Sequence, residues 1–181
     1  MSLAPPAPPG WDYNPSGWSQ RLPIAGVALV GFGIAAYLTA FQIGVIERVW
    51  EPVFGSGSER VLTSEVSKIL PVPDAALGAA GYLLDAVAAV IGGPDRWRRQ
   101  PWVVVLFGVA VGPLGVASIV LVVLQPVMFD SFCTLCLASA LISVVMIGPA
   151  MDEVLASLQV LARVRRRGEP VLHAFWHGAE G

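Results

Sequence analysis

The interval 100–151 carries a single charged side chain, Asp130. Crossing the hydrocarbon core of a bilayer takes about 20 apolar helical residues, so this interval is too long for one span. Pro126, inside Leu124-Gln-Pro-Val-Met-Phe-Asp130, cannot continue helical hydrogen bonding, and a tight turn is expected there. Two further stretches are long enough to cross: the uncharged run 22–46, and 74–93, whose interior charge is Asp85. The expectation is an all-α integral membrane protein, a four-transmembrane-helix bundle with spans at about 22–46, 74–93, 101–124 and 130–151. Composition agrees, since 55% of the 181 residues are apolar and 13% charged, against about a quarter charged in soluble domains. A net charge of −2 leaves no basic footprint for nucleic acid. Two cysteines cannot build a disulfide framework.

Orientation follows from the arginines and lysines in the connections. Arg21 precedes the first span; Arg96, Arg98 and Arg99 lie between the second and third; Arg163, Arg165, Arg166 and Arg167 follow the fourth. Only Arg48, Arg60 and Lys68 fall in the first loop, and none in the last turn. Both termini are therefore expected in the cytoplasm. No positive region precedes Arg21, so the first run reads as a span and not as a cleavable signal. Residues 1–21 form a proline-rich cytoplasmic arm, and Trp11, Tyr13, Trp18, Trp50, Trp97 and Trp102 suit the headgroup layer. In 152–181, Val154, Leu155, Leu158, Leu161 and Ala162 recur at helical spacing, with acids first and arginines last. That pattern reads as a C-terminal amphipathic helix on the inner leaflet.

Phe132-Cys133-Thr134-Leu135-Cys136 is the strongest chemical signal, holding both cysteines just past the last turn. Residues three apart on a helix share a face, so a disulfide is within reach. If Asp130 or Ser131 caps the helix, Cys133 falls in its first turn. Free amides there stabilise a thiolate, while the Asp130 charge opposes it. Cys133 is then expected to be the more exposed sulfur and Cys136 the deeper one. Three readings stand: a redox dithiol at the outer face, two inert buried cysteines, or a metal site, for which three or four ligands are needed. His173 and His177 are expected across the membrane from the cysteines, which counts against the last.

The chain resembles the vitamin K epoxide reductase (VKOR) family of membrane thiol–quinone oxidoreductases over about 22–151. The likeness rests on four spans, the outward C-x-x-C, a long first loop with Ser58-Glu-Arg-Val-Leu-Thr-Ser64, and Pro73-Asp-Ala-Ala-Leu-Gly78-Ala-Ala-Gly-Tyr82. It implies a VKOR-like bundle in a bacterial inner membrane that passes electrons between a periplasmic thiol protein and a quinone, ubiquinone or menaquinone. Cys136 would face the quinone and Cys133 would exchange with the incoming thiol. Trp50 and Ser58 stand where the family carries a pair of loop cysteines, and Ala140 where a tyrosine often follows the second catalytic cysteine; Ser139 keeps a hydroxyl next to it. A fused thioredoxin-like domain, carried by many bacterial relatives, is not expected here. The alternative is a non-catalytic VKOR-like subunit of a larger membrane complex, or a quinone-binding scaffold without turnover.

A carboxylate inside a span is costly and by default functional. Asp85 is expected either to serve protons to the quinone site or to be held by Thr39, Gln42 or Ser118. Asp74 reads as the N-cap of the second span. Gly108-x-x-x-Gly112 reads as a packing motif within the bundle, and Pro113 as a kink.

Overall fold

A computed structural model describes residues 7–64, 67 and 71–179. The described residues are helical throughout their regular structure: α1 (Trp18–Gln42), α2 (Gly57–Leu62), α3 (Asp74–Val90), α4 (Arg96–Arg99), α5 (Pro101–Phe129), α6 (Thr134–Arg166) and α7 (Val171–His177). The helices α1, α5 and α6 are each long and apolar enough to cross a membrane. With α3 they pack in a ring, α1 on α3, α3 on α5, α5 on α6 and α6 back on α1. The centre is built from small and medium side chains, among them Ala28, Ala86, Phe107, Val111, Met146 and Ala150. Without a hydrophobic drive between helices in lipid, close backbone approach has to supply the packing energy. Gly108 does so, because a Cβ there would collide with Val154 of α6, whereas Gly112 meets nothing.

Three local expectations are corrected. Helix α5 does not break at Pro126 but continues to Phe129 and ends on Asp130 in the left-handed conformation, φ 47°. The ladder bond that a proline removes is tolerated in membrane-spanning helices, where neighbouring groups re-satisfy the freed carbonyl, and aspartate tolerates the left-handed turn better than most residues. The tail segment is no separate amphipathic helix: 152–166 prolongs α6 without interruption, burying Glu153, Ala156, Ser157, Val160 and Val164 while Leu155 and Leu158 stay exposed. Asp74 is the first residue of α3, not its cap; Pro73 occupies the cap position.

The expected headgroup aromatics divide. Trp18 and Trp50 are exposed, but Trp97 is buried against Ala156, Val160 and Val164. Trp11 donates to Gln159 (3.2 Å) and Tyr13 to Asp152 (2.6 Å), so the arm from residue 7 onward is docked on α6. The carboxylate of Asp152 makes loss of the Tyr13 proton unfavourable and pushes its pKa up to about 12.

Beneath the arm lies a polar box that ends α3. Arg21 donates to the carbonyls of Ala89 (2.7 Å), Ile91 (2.6 Å) and Gly92 (2.8 Å). Arg96 donates to Ile91 (2.7 Å) and Ala88 (2.5 Å) and grips Glu153 through Nε and Nη2, both at 2.5 Å. Ser16 donates to the same carboxylate. Helix C-termini leave carbonyls without partners, and here two buried guanidinium groups satisfy them.

Candidate functional site

Opposite that box, the turn after Asp130 delivers Cys133 to the N-cap position of α6. Neither Asp130 nor Ser131 caps the helix. Cys133 does, with its Sγ accepting from the Cys136 amide at 3.1 Å. The two cysteines are joined as a disulfide. The backbone N–H of Cys133 donates to Gln125 Oε1 at 3.0 Å, and Gln125 is itself buried near the end of α5. The site therefore rests on both helices of the α5–α6 pair.

The expected exposure of the two sulfurs is reversed. Cys133 is 0% exposed, while Cys136 is half-buried and lines a cleft of about 120 Å³. Leu38, Gly78, Leu114, Leu121 and Val122 give the cleft apolar walls, and Tyr82, Ser118, Gln125, Ser139 and Ser143 contribute polar atoms. Apolar walls with a few convergent polar groups are the lining of a small-molecule site.

Ser139, singled out from sequence, lies on this cleft. Its carbonyl accepts from the Tyr82 hydroxyl at 2.5 Å, and the hydroxyls of Ser139 and Ser143 lie 2.9 and 2.7 Å from the same oxygen. Tyr82 was missed as a site residue. It is the only aromatic in α3, and it sits where a Cβ on Gly31 would meet its ring at 2.7 Å. A phenol reaching in from α3 thus occupies the neighbourhood of Ala140, where the family's tyrosine was sought.

Asp85 is not brought to the cleft. It is 2% exposed, and its Oδ1 has no hydrogen-bond partner. The partners anticipated for it are engaged elsewhere: Thr39 with Ala35, Ser118 with Leu114, and Gln42 with Asp74 and Leu62.

The first loop meets the disulfide through Glu51, a residue absent from the sequence-based candidates. Glu51 accepts from the Thr134 amide (2.9 Å), from the Val53 and Phe54 amides (3.2 Å each), and from the hydroxyls of Thr134 and Ser58. Burial opposes its charge, but the hydroxyls of Ser58 and Thr134 and the amides of Thr134 and Phe54 outweigh it, and the pKa falls to about 2. A carboxylate at a helix N-terminus is also favoured by the helix dipole. No sequence pattern marks this pairing, because Glu51 and Thr134 lie far apart in the chain.

The profile of the Vitamin K epoxide reductase family matches residues 22–150. The chain belongs to this family. Among curated proteins none matches it. Vitamin K epoxide reductase family members are, in general, quinone-dependent membrane oxidoreductases of thiols and disulfides, and the matched residues contain the C-x-x-C, Tyr82 and Glu51. Cys133 and Cys136 thus stand within the family region, while the docked arm and the last turns of α6 lie outside it.

Proposed function

We propose that this protein is a membrane thiol–disulfide/quinone oxidoreductase in which Cys133 and Cys136 carry two electrons from a periplasmic thiol protein to a quinone in the cleft. The observation that carries the reading is that Cys136 borders the cleft while bonded to Cys133 at the head of α6. A thiolate of the partner attacks Cys133 Sγ, forms a mixed disulfide and expels Cys136 as thiolate; a second partner thiol then releases Cys133. Both cysteines end reduced, and the partner carries the disulfide. Bound quinone, ubiquinone or menaquinone, supplies a two-electron oxidant that restores the pair. The Cys136 amide aimed at Cys133 Sγ favours charge on that sulfur when the bond is open. Tyr82, Ser139 and Ser143 form the polar end of the cleft, suited to the oxygen of a ring ligand.

The orientation belongs to the same proposal. Helix α3 is 17 residues long, about 26 Å at 1.5 Å per residue, and serves as the fourth span in a slightly thinned or capped setting. Helix α6, at 33 residues, extends about 50 Å, so its arginine-rich end projects into the cytoplasm of a bacterial inner membrane. The disulfide then faces the periplasm and both termini face the cytoplasm.

The test is quinone reduction by the purified protein in lipid nanodiscs, with a dithiol as donor. Cys136→Ser and Cys133→Ser should each abolish turnover. A Cys136→Ser protein that still reduces quinone at the wild-type rate refutes the reading.

The absence of the family's loop cysteine pair, with Trp50 and Ser58 in its place, favours a second reading, a non-catalytic subunit of a membrane complex. It predicts that the wild-type protein gives no turnover with any dithiol.

A further inference from the structure

Cys133 must meet a donor thiol, yet no surface of it is open to solvent. Residues 51–58 of the first loop sit on its two chain neighbours, Phe132 and Thr134. A Cβ on Gly57 would collide with the Phe132 carbonyl, so the start of α2 lies directly on the residue before Cys133. The rings of Phe54 and Phe132 pair at 5.4 Å between centroids, and Ser58 is wholly buried. Among the described residues, this cover is fastened to the head of α6 through the Glu51 carboxylate. It holds the loop internally through Val53, Phe54 and Ser58, and holds the head of α6 through the amide and hydroxyl of Thr134. Phe54 and Ser58 lie on the cover, whereas Thr134 adjoins the buried sulfur.

We propose that Glu51 is the positioning residue that fastens the first loop over the disulfide, so that a donor thiol reaches Cys133 only when the Glu51–Thr134 contact is released. The inference deepens the oxidoreductase reading and rests on it for the identity of the donor. Ser58, standing where the family carries a loop cysteine, contributes a hydrogen bond to the fastening in place of a sulfur. Without a loop thiol to relay electrons, the donor itself has to displace this cover. The chemistry behind the cover is ordinary exchange. One thiolate attacks Cys133 Sγ and breaks the Cys133–Cys136 bond, a second thiol resolves the mixed disulfide, and a dithiol leaves as a cyclic disulfide with two cysteine thiols formed.

The experiment measures reduction of the Cys133–Cys136 bond in the full-length protein in detergent micelles, with dithiothreitol as the probe and thiols counted by maleimide–polyethylene glycol gel shift. No quinone is present, so the outcome does not depend on whether quinone turnover occurs. Glu51→Ala should speed reduction by about tenfold or more, the loss of a charge-assisted contact. Thr134→Val, which keeps the charge and the amide contact, should give a smaller acceleration. Tyr13→Phe, which loosens the arm at the other end of the molecule, should leave the rate unchanged. Glu51→Ala at the wild-type rate, or Tyr13→Phe accelerated as much as Glu51→Ala, overturns the proposal. If Glu51→Ala does not fold, Glu51→Gln and Thr134→Val decide: wild-type rates in both overturn it, and acceleration in both supports it.

Discussion

Replacing Glu153 by glutamine keeps the shape of the polar box and removes its only carboxylate. Arg96 is then left fully buried with two backbone carbonyls as partners and no counter-charge, because its Nε and Nη2 both face Glu153 in the wild type. The new amide also turns a donor toward a guanidinium that can only donate. Stripping one partner from a buried ion pair costs about 3–5 kcal/mol, a large share of a total stability of roughly 5–15 kcal/mol. The double variant Arg96→Met/Glu153→Leu removes both charges. In a Ser16→Ala background, which removes the hydroxyl that would lose Glu153, Arg21 still donates to Ile91 and the main orphan is the Ala88 carbonyl, worth about 1–3 kcal/mol. In that background the double variant is therefore expected to be more stable than Glu153→Gln. Equilibrium unfolding in mixed micelles measures this, with fluorescence of the adjacent buried Trp97 among the optical signals. A Glu153→Gln protein within about 1 kcal/mol of wild type, below the range for a broken buried pair, refutes the reasoning, as does a double variant weaker than the single.

Tyr82→Phe removes the hydroxyl that joins α3 to Ser139 and Ser143 and should lower stability by about 1 kcal/mol, read in the same unfolding assay. Acidification tests Glu51. Its folded pKa lies below its ordinary 4.5, so its stabilising contacts are complete above 4.5 and lost as pH falls toward about 2. Dithiothreitol-independent reduction by a phosphine should accelerate across that window in wild type but not in Glu51→Ala. For orientation, Val127→Cys, at a site 75% exposed on α5, should label with an impermeant maleimide on intact spheroplasts. Arg99→Cys, on an exposed side chain, should label only after lysis. The reverse pattern overturns the proposed topology.

The sequence made the long helices and the chemistry at the head of α6 legible, because both are local signals. Apolar length reports a span, and C-x-x-C spacing reports a same-face pair. It misjudged Pro126, since a membrane-spanning helix tolerates a proline that local rules treat as a break. It also misjudged which sulfur is buried, because Phe54 and Gly57, from a loop distant in the chain, pack on Phe132 beside Cys133. Glu51 was invisible for the same reason: acids in a long polar loop look alike until one of them meets a helix N-terminus. Asp85 shows the limit from the other side. Its position in a span marked it as unusual, but no pattern could say that Thr39, Gln42 and Ser118 would each find nearer acceptors.

The box that ends α3 also constrains the order in which the chain can be built. Arg21 is synthesised long before the carbonyls of Ala89, Ile91 and Gly92 that it serves, and Glu153 long after Ser16 and Arg96. Until α6 emerges, Arg96 has no carboxylate, and the arm has no Asp152 or Gln159 to dock on. The helices before α6 cannot settle their polar ends on their own. Burying those charges early would cost more than leaving them wetted. The nascent protein therefore has to hold this end of the bundle open to water until the last long helix arrives. A ribosome stalled before Glu153 would display Arg21 and Arg96 to solvent and to proteases, and release past Gln159 would close them in a single step.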